Sequence, residues 1–223
     1  MRPLAVLITL VLATPLFVAP LPAASAQTYF GKAATITDHV SYVTGTAGNE
    51  VIVGDNGDNE IDAKRGVDYV GGGGGNDEIV TVDGPGSALF ARGGKGSDRI
   101  TGASGGNGED RLYGGDDNDT LSGGDEEDGT FGNDGNDTLR GDDGTDNLFG
   151  GQGRDRLIGG DDGDYLLGGQ NADRLEGEHG EDILSGEGGD DLLIGGADAD
   201  GLDGGPGDNR CAQDDLGGLA FPC

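Results

Sequence analysis

Aspartate recurs at every ninth residue through most of this chain, each time set in glycine. The unit is Gly-Gly-x-Gly-x-Asp-x-apolar-x, as in Gly150-Gly151-Gln152-Gly153-Arg154-Asp155-Arg156-Leu157-Ile158. Seventeen windows follow it, and the sixth position is Asp in fourteen of them: Asp68, Asp77, Asp98, Asp110, Asp119, Asp128, Asp137, Asp146, Asp155, Asp164, Asp173, Asp182, Asp191 and Asp200. Carboxylates at a fixed interval are hard oxygen ligands, and the chemistry they suit is binding of a hard divalent cation. Stacked at a strand spacing of ~5 Å, two unit charges repel by roughly 0.8 kcal/mol in water and about 3 kcal/mol at an effective dielectric of 20. Summed along a column, this opposes folding, so something cationic must lie between the acids. Ca2+ meets the requirement, because it takes roughly six to eight oxygens and mixes carboxylates with the backbone carbonyls that glycine turns expose. Mg2+ demands octahedral geometry and keeps its waters. Zn2+ wants His or Cys, and only His39, His179, Cys211 and Cys223 are present. Turn formation by Asx residues without metal is the alternative, but it does not explain why one side chain is favoured so strongly at one position.

The elements that position these acids follow from the same period. The first six residues of a window are turn chemistry, and the fourth is Gly or a residue that tolerates positive φ, such as Asp117, Asp162, Asn171 or Asp198. Glu126 breaks that filter and marks the window from Gly123 as strained or irregular. The last three residues read as a short strand whose middle side chain points inward. Two windows then make one turn of a flattened coil, with equivalent positions 18 residues apart. One inner ladder is Leu121, Leu139, Leu157, Leu175 and Leu193, and the other is Leu112, Thr130, Leu148, Leu166, Leu184 and Leu202. Windows start at Gly45, Gly54, Ala63 and Gly72, then at Gly93, and twelve run unbroken from Gly105 to the one at Gly204. The two breaks, each a whole number of windows plus three residues, read as loop insertions within one elongated domain.

At these residues the chain resembles the haemolysin-type calcium-binding repeat family, also called RTX repeats, over nearly all of the region from Gly45 to Ala212. Twelve windows in register make the likeness specific. The resemblance implies an all-β fold, a parallel β-roll (a β-solenoid) with two short strands per turn. It implies that each Ca2+ sits between successive turns on one edge, held by sixth-position carboxylates and glycine-loop carbonyls. Carried over, Asp110 and Asp128 share one ion, Asp119 and Asp137 another, and the pairing continues through Asp146 to Asp200. Glu50, Asn59 and Asn209 depart from the pattern, so the first two windows and the last are expected to bind weakly or not at all. Members of the family are often exported through a C-terminal signal and joined to a toxin, protease or lipase domain. This chain is expected to differ on both counts.

Residues 1–26 read as a secretory signal peptide: Arg2 is the positive start, Leu4 to Val18 is mostly apolar, and Ala24-Ser25-Ala26 has a small-x-small cleavage pattern. The apolar run is short for a membrane span, so no membrane insertion is expected. The mature chain is expected to be secreted and extracellular, with segment 27–44 as an N-terminal cap, 45–212 as the repeat roll and 213–223 as a C-terminal cap. Two cysteines near one end of an exported chain point to a Cys211–Cys223 disulfide, which would fold Leu216, Leu219 and Phe221 over the open end. The net charge of −30 repels phosphate backbones and anionic lipid, which excludes nucleic acid as a partner.

Two other features of the sequence bear on function. Gly102-Ala103-Ser104-Gly105-Gly106 has the spacing of a serine nucleophile elbow, but chance supplies such matches in a chain with 50 glycines, and no strand–turn–helix context or placed His accompanies it. The chain therefore reads as no enzyme. An extracellular interaction module is the second alternative. One outward face carries Tyr113, Phe131, Phe149, Tyr165, Leu167 and Ile183, which would suit another extracellular protein or a second copy, or would merely express strand propensity. The other face carries Thr138, Arg140, Arg156, Arg174 and Glu176, with Leu192 and Ile194 near its end.

Overall fold

The apolar residue at the eighth position of each window turns inward, and that one preference winds the chain. A computed structural model describes residues 41–213 apart from 83, 85 and 105–107, together with Cys223 and the backbone of Thr28–Tyr29, Lys32–Ala33 and Ile36–Thr37. The signal segment 1–26 and the tail residues Leu216, Leu219 and Phe221 lie outside the described residues. The fold is a parallel β-roll of about nine turns, built from two ten-stranded sheets, with no helix among the described residues. One sheet, here the aromatic sheet, runs from Ile36–Thr37 through Val51–Val53, Val67–Gly74 and Ala88–Lys95 to Arg111–Asp116. It continues through Gly129–Asp134, Asn147–Gln152, Tyr165–Gln170 and Ile183–Gly188 to Gly201–Asp203. The opposite arginine sheet runs from Tyr42–Thr44 through Glu60–Asp62, Glu78–Val80, Arg99–Thr101 and Thr120–Asp125. It continues through Thr138–Asp143, Arg156–Asp161, Arg174–His179 and Leu192–Ala197 to Arg210–Ala212.

Each strand pairs in parallel with the strand two windows later, which puts identical positions on top of one another: Leu121 on Leu139 on Leu157, and Leu148 on Leu166 on Leu184. The core is these two ladders and little else. It runs from Val43, Ile52, Ile61 and Val70 at one end to Leu184, Leu193 and Cys211 at the other, with Leu202 only partly buried. Each fully buried leucine contributes roughly 1.5–3 kcal/mol. Cys211 takes the inner place in the last turn, and its sulfur meets that of Cys223, the Cα atoms lying 5.9 Å apart as in a disulfide. Segment 27–44, expected as a cap, begins with an antiparallel pair, Thr28–Tyr29 with Lys32–Ala33, and its later strands already belong to the two sheets.

Three sequence expectations change in detail. The first break holds an eighteenth window, Gly84 to Arg92, whose strand Ala88–Lys95 stacks between Val67–Gly74 and Arg111–Asp116. Its eighth residue is Ala91, and its sixth is Leu89, which is fully buried where an Asp was the rule. The second insertion falls inside a window, not before it. Gly102 stands at the first position of the Asp110 window, since a Cβ there would face the Asp110 carboxylate as one on Gly93, Gly114 or Gly132 would face Asp98, Asp119 or Asp137. Finally, Glu126 adopts φ 79° without disturbing the register on either side. The second position also enters the left-handed region, at Asn133, Asp142, Glu178 and Glu187 with φ of 77°, 77°, 78° and 66°.

Candidate metal-binding columns

The strands fix the sixth-position side chains into two columns, one along each edge of the flattened coil. One column is Glu50, Asp68, Leu89, Asp110, Asp128, Asp146, Asp164, Asp182 and Asp200. The other is Asn59, Asp77, Asp98, Asp119, Asp137, Asp155, Asp173, Asp191 and Asn209. The structure stacks the acids expected to be neighbours, Asp110 with Asp128, Asp119 with Asp137 and so on to Asp200, and it sets Leu89 between Asp68 and Asp110.

Within a column, one carboxylate oxygen is committed to the fold. The backbone N–H of Asp119 donates to Oδ1 of Asp137 at 2.7 Å, that of Asp137 to Asp155 at 2.8 Å, and that of Asp155 to Asp173 at 2.8 Å. The same bond repeats along the opposite edge, from Asp110 to Asp128, Asp128 to Asp146 and Asp146 to Asp164. These bonds satisfy buried N–H groups between strands and hold every carboxyl plane in one orientation.

The second oxygen has no protein partner. Oδ2 of Asp68, Asp77, Asp98, Asp119, Asp128, Asp137, Asp146, Asp155, Asp164, Asp173, Asp182, Asp191 and Asp200 is buried without a hydrogen bond. Such an atom costs about 1–3 kcal/mol, and more when charged. Burial, only partly offset by the accepted N–H, raises the carboxyl groups well above the usual range. Asp137, Asp146 and Asp155 rise to about 6, and Asp119, Asp128 and Asp164 to about 8, the last three helped by the neighbouring acids of their own column. Asp191 and Asp200, near the end of the coil, are also raised.

The first-position glycines show where these oxygens point. A Cβ on Gly150 would stand 2.5 Å from Oδ2 of Asp155 and 2.5 Å from the carbonyl oxygen of Gly168 in the next turn. At Gly132 the second of these contacts is 2.6 Å to the carbonyl of Gly150, and at Gly141 it is 2.7 Å to that of Gly159. A carboxylate oxygen and a backbone carbonyl from adjacent turns thus converge at a place that only glycine leaves open. This donor set is all oxygen and mixed in type, which fits Ca2+ and not a soft metal. Among the described residues, no three acidic, His or Cys side chains gather into a ready-made cluster. The oxygens that converge here are one carboxylate oxygen and one backbone carbonyl oxygen per turn.

The departures found in the sequence take protein partners instead. Both carboxylate oxygens of Glu50 are engaged by Thr46, through its N–H at 3.1 Å and through its hydroxyl. Asn59 accepts from the N–H of Asp55 at 2.9 Å, and Asn209 donates to the carbonyl of Gly205 at 2.9 Å. Sequence reading missed Leu89, whose only signal is Gly84 lying nine residues before Gly93. It also missed that Asp110 accepts the N–H of Ala103 at 2.7 Å through its second oxygen.

On the aromatic sheet, Tyr113, Phe131 and Phe149 stack as rungs with ring centroids 4.7 and 4.8 Å apart, and Leu167 continues their column. Tyr165 tilts against Phe149 at 6.0 Å, and Ile183 beside it is 56% exposed. Tyr69 and Phe90 form a second stack at 4.8 Å, and Arg92 lies over the Tyr113 ring at 5.1 Å. On the opposite face, Arg156 and Arg174 both pair with Glu176, and Arg140 pairs with Asp142 at 3.1 Å. The serine of the nucleophile-like match, Ser104, sits in the glycine turn of the Asp110 window.

A family model described as RTX calcium-binding nonapeptide repeat (4 copies) matches residues 44–79, 90–105, 104–139, 131–157, 140–175, 158–193 and 176–211. No curated protein matches the chain.

Proposed function

Because the chain belongs to the RTX calcium-binding nonapeptide repeat family, we propose that it is an exported calcium-binding protein whose roll closes when ions fill the gaps between successive sixth-position carboxylates. One observation carries this reading: thirteen buried Asp Oδ2 atoms, in register on two edges, have no partner in the protein. The residues that would hold the ions are Asp77, Asp98, Asp119, Asp137, Asp155, Asp173 and Asp191 on one edge. On the other they are Asp128, Asp146, Asp164, Asp182 and Asp200, whereas the bare oxygen of Asp68 faces Leu89 on one side and the engaged Glu50 on the other. First-position carbonyls such as those of Gly150 and Gly168 would complete the shells. Bound Ca2+ supplies positive charge and a cross-link between turns. The chain supplies the rest: N–H bonds that fix each carboxyl plane, glycines that leave the space, and leucine ladders that set the spacing.

Without the ion, the ionised acids oppose the closed state, so binding energy acts as folding energy. The signal segment 1–26 would deliver the unfolded chain to a calcium-rich exterior, where a site affinity of roughly 10⁻⁴–10⁻³ M is sufficient. There the Cys211–Cys223 disulfide would close the last turn, worth roughly 2–3 kcal/mol on a chain-entropy basis. No catalytic role is proposed. The test is far-ultraviolet circular dichroism of the mature protein with Ca2+ and with chelator. A coil-to-β transition on adding Ca2+ is expected, and identical spectra would remove the proposal.

A second reading is favoured by the aromatic stack: the roll presents this face to another protein or a second copy, with calcium supporting the scaffold. A cleft of about 220 Å³ lies there between Glu109, Glu127 and the rings of Tyr113, Phe131 and Phe149. Replacing Phe131 and Phe149 by Ser should then abolish self-association in sedimentation or loss-free recovery of a partner. Unchanged behaviour in both would leave the stack as strand packing alone.

A further inference from the structure

Resting on the calcium reading, we infer that the two edges take ions over different stretches: from Asp77 onward on one edge, but only from Asp128 onward on the other. The N-terminal turns are therefore held on one edge by the protein alone.

A gap between turns needs a free oxygen on both acids that flank it. On the edge that begins at Glu50, each of the first four gaps fails this condition. Glu50 is engaged by Thr46. Leu89 offers no oxygen and contributes instead to the apolar core. Asp110 spends one oxygen on the N–H of Leu89 at 2.6 Å and the other on the N–H of Ala103 at 2.7 Å. It is the one sixth-position Asp whose Oδ2 is not left bare.

On the opposite edge only the end gaps are closed, by Asn59 with Asp55 and by Asn209 with Gly205. The gaps left open are then Asp77/Asp98, Asp98/Asp119, Asp119/Asp137, Asp137/Asp155, Asp155/Asp173 and Asp173/Asp191 on this edge. On the first edge they are Asp128/Asp146, Asp146/Asp164, Asp164/Asp182 and Asp182/Asp200. That gives ten ions per chain. Where ions are missing the core compensates: Ile52, Ile61, Val70, Ile79 and Ile100 line it, and Leu89 adds a buried side chain that no later window has at that position. The N-terminal turns should accordingly be the last to open when Ca2+ is withdrawn.

Native mass spectrometry of the mature protein, titrated with CaCl2, should plateau at ten ions. Leu89→Asp places a carboxylate beside the free Asp68 oxygen and should raise the plateau by one. Hydrogen exchange on the unaltered protein in limiting Ca2+ provides a measurement that no variant can spoil. Peptides covering 51–80 should exchange at least about tenfold more slowly than those covering 147–194. A plateau well above ten, an unchanged plateau in folded Leu89→Asp, or uniform exchange along the chain would overturn the inference while leaving calcium binding intact. Absence of any bound ion would sink the calcium reading itself, and this inference with it.

Discussion

Leu157 and Asp155 stand two residues apart, both buried, each one rung of a ladder that repeats at every turn. Leu157 meets Leu139 and Leu175, and burial alone rewards it. Asp155 meets Asp137 and Asp173, and burial penalises it, raising its carboxyl to about 6. The same nine-residue period thus builds one column that burial rewards and another that burial penalises, and on the proposed function a shared cation would relieve the second. The difference teaches how the proposed calcium-coupled folding would divide its labour: the leucines set the shape, and the aspartates would make that shape depend on the ion.

The widest way to separate the columns is pH in the absence of metal. Burial raises the column acids, Asp137 to about 6 and Asp119 and Asp164 to about 8, above the usual carboxyl value near 4, so the folded chain binds protons more readily than the unfolded one. A raised carboxyl withholds stability once it ionises. Its favourable contribution is complete below about pH 4 and is lost as pH rises through about 6 to 8. In chelator, the chain should therefore show more β-structure at about pH 5 than at about pH 8. In Ca2+ the order should reverse, because protons compete for the same oxygens. Circular dichroism across that range, with a calcium electrode on the second series, checks both signs. Equal disorder at both pH values in chelator would mean that the acids are not what opposes the metal-free fold.

A pair of substitutions sharpens the contrast at one rung. Leu157→Ala should cost about 2–5 kcal/mol, since it leaves a cavity in a core only two side chains thick, and it should cost this with or without metal. Asp155→Asn should weaken the calcium-loaded protein, because it weakens the gaps to Asp137 and to Asp173. In chelator at about pH 5, where the metal-free chain is expected to keep β-structure, the same change should be close to neutral, because the carboxyl it replaces, raised to about 6, is mostly protonated there. Thermal denaturation of both variants in each condition is the measurement. A loss for Asp155→Asn in chelator as large as that in Ca2+ would assign the aspartate column an ordinary structural role.

How much of this was legible beforehand depended on whether a feature repeats. The inner ladders, the pairing of windows into turns and the neighbouring acids could be read from spacing, because each occurs many times in register. Single events were not legible. The window holding Leu89 keeps the period but loses the Asp that advertises it, so only Gly84 betrays it. The second insertion was assigned to a position before Gly105 because Gly102 and Gly105 fit the first position equally well by type. Only the close approach of Gly102 to Asp110 distinguishes them. The Ala103 donor could not be inferred without that placement. Left-handed Asn133 and Asp142 match known tolerance at such φ, whereas Glu178 and Glu187 are held there by their neighbours against weak preference.

The smallest effect lies where the two ladders exchange character. Thr130 occupies an inner leucine position, fully buried, and its Oγ1 has no hydrogen-bond partner. It is therefore a polar atom with the difficulty of the aspartate column but without a cation to relieve it, since it faces Leu112 and Leu148 in its own ladder. Replacing both the hydroxyl and its desolvation cost with a methyl group should help. Thr130→Val should stabilise the roll by about 1 kcal/mol, within the usual cost of an unpaired buried hydroxyl. The gain should be the same in Ca2+ and in chelator at acid pH, because no carboxylate is touched. A shift in melting temperature that appears only in Ca2+ would show that Thr130 communicates with the acidic edges, and the separation of the two ladders would fail at that rung.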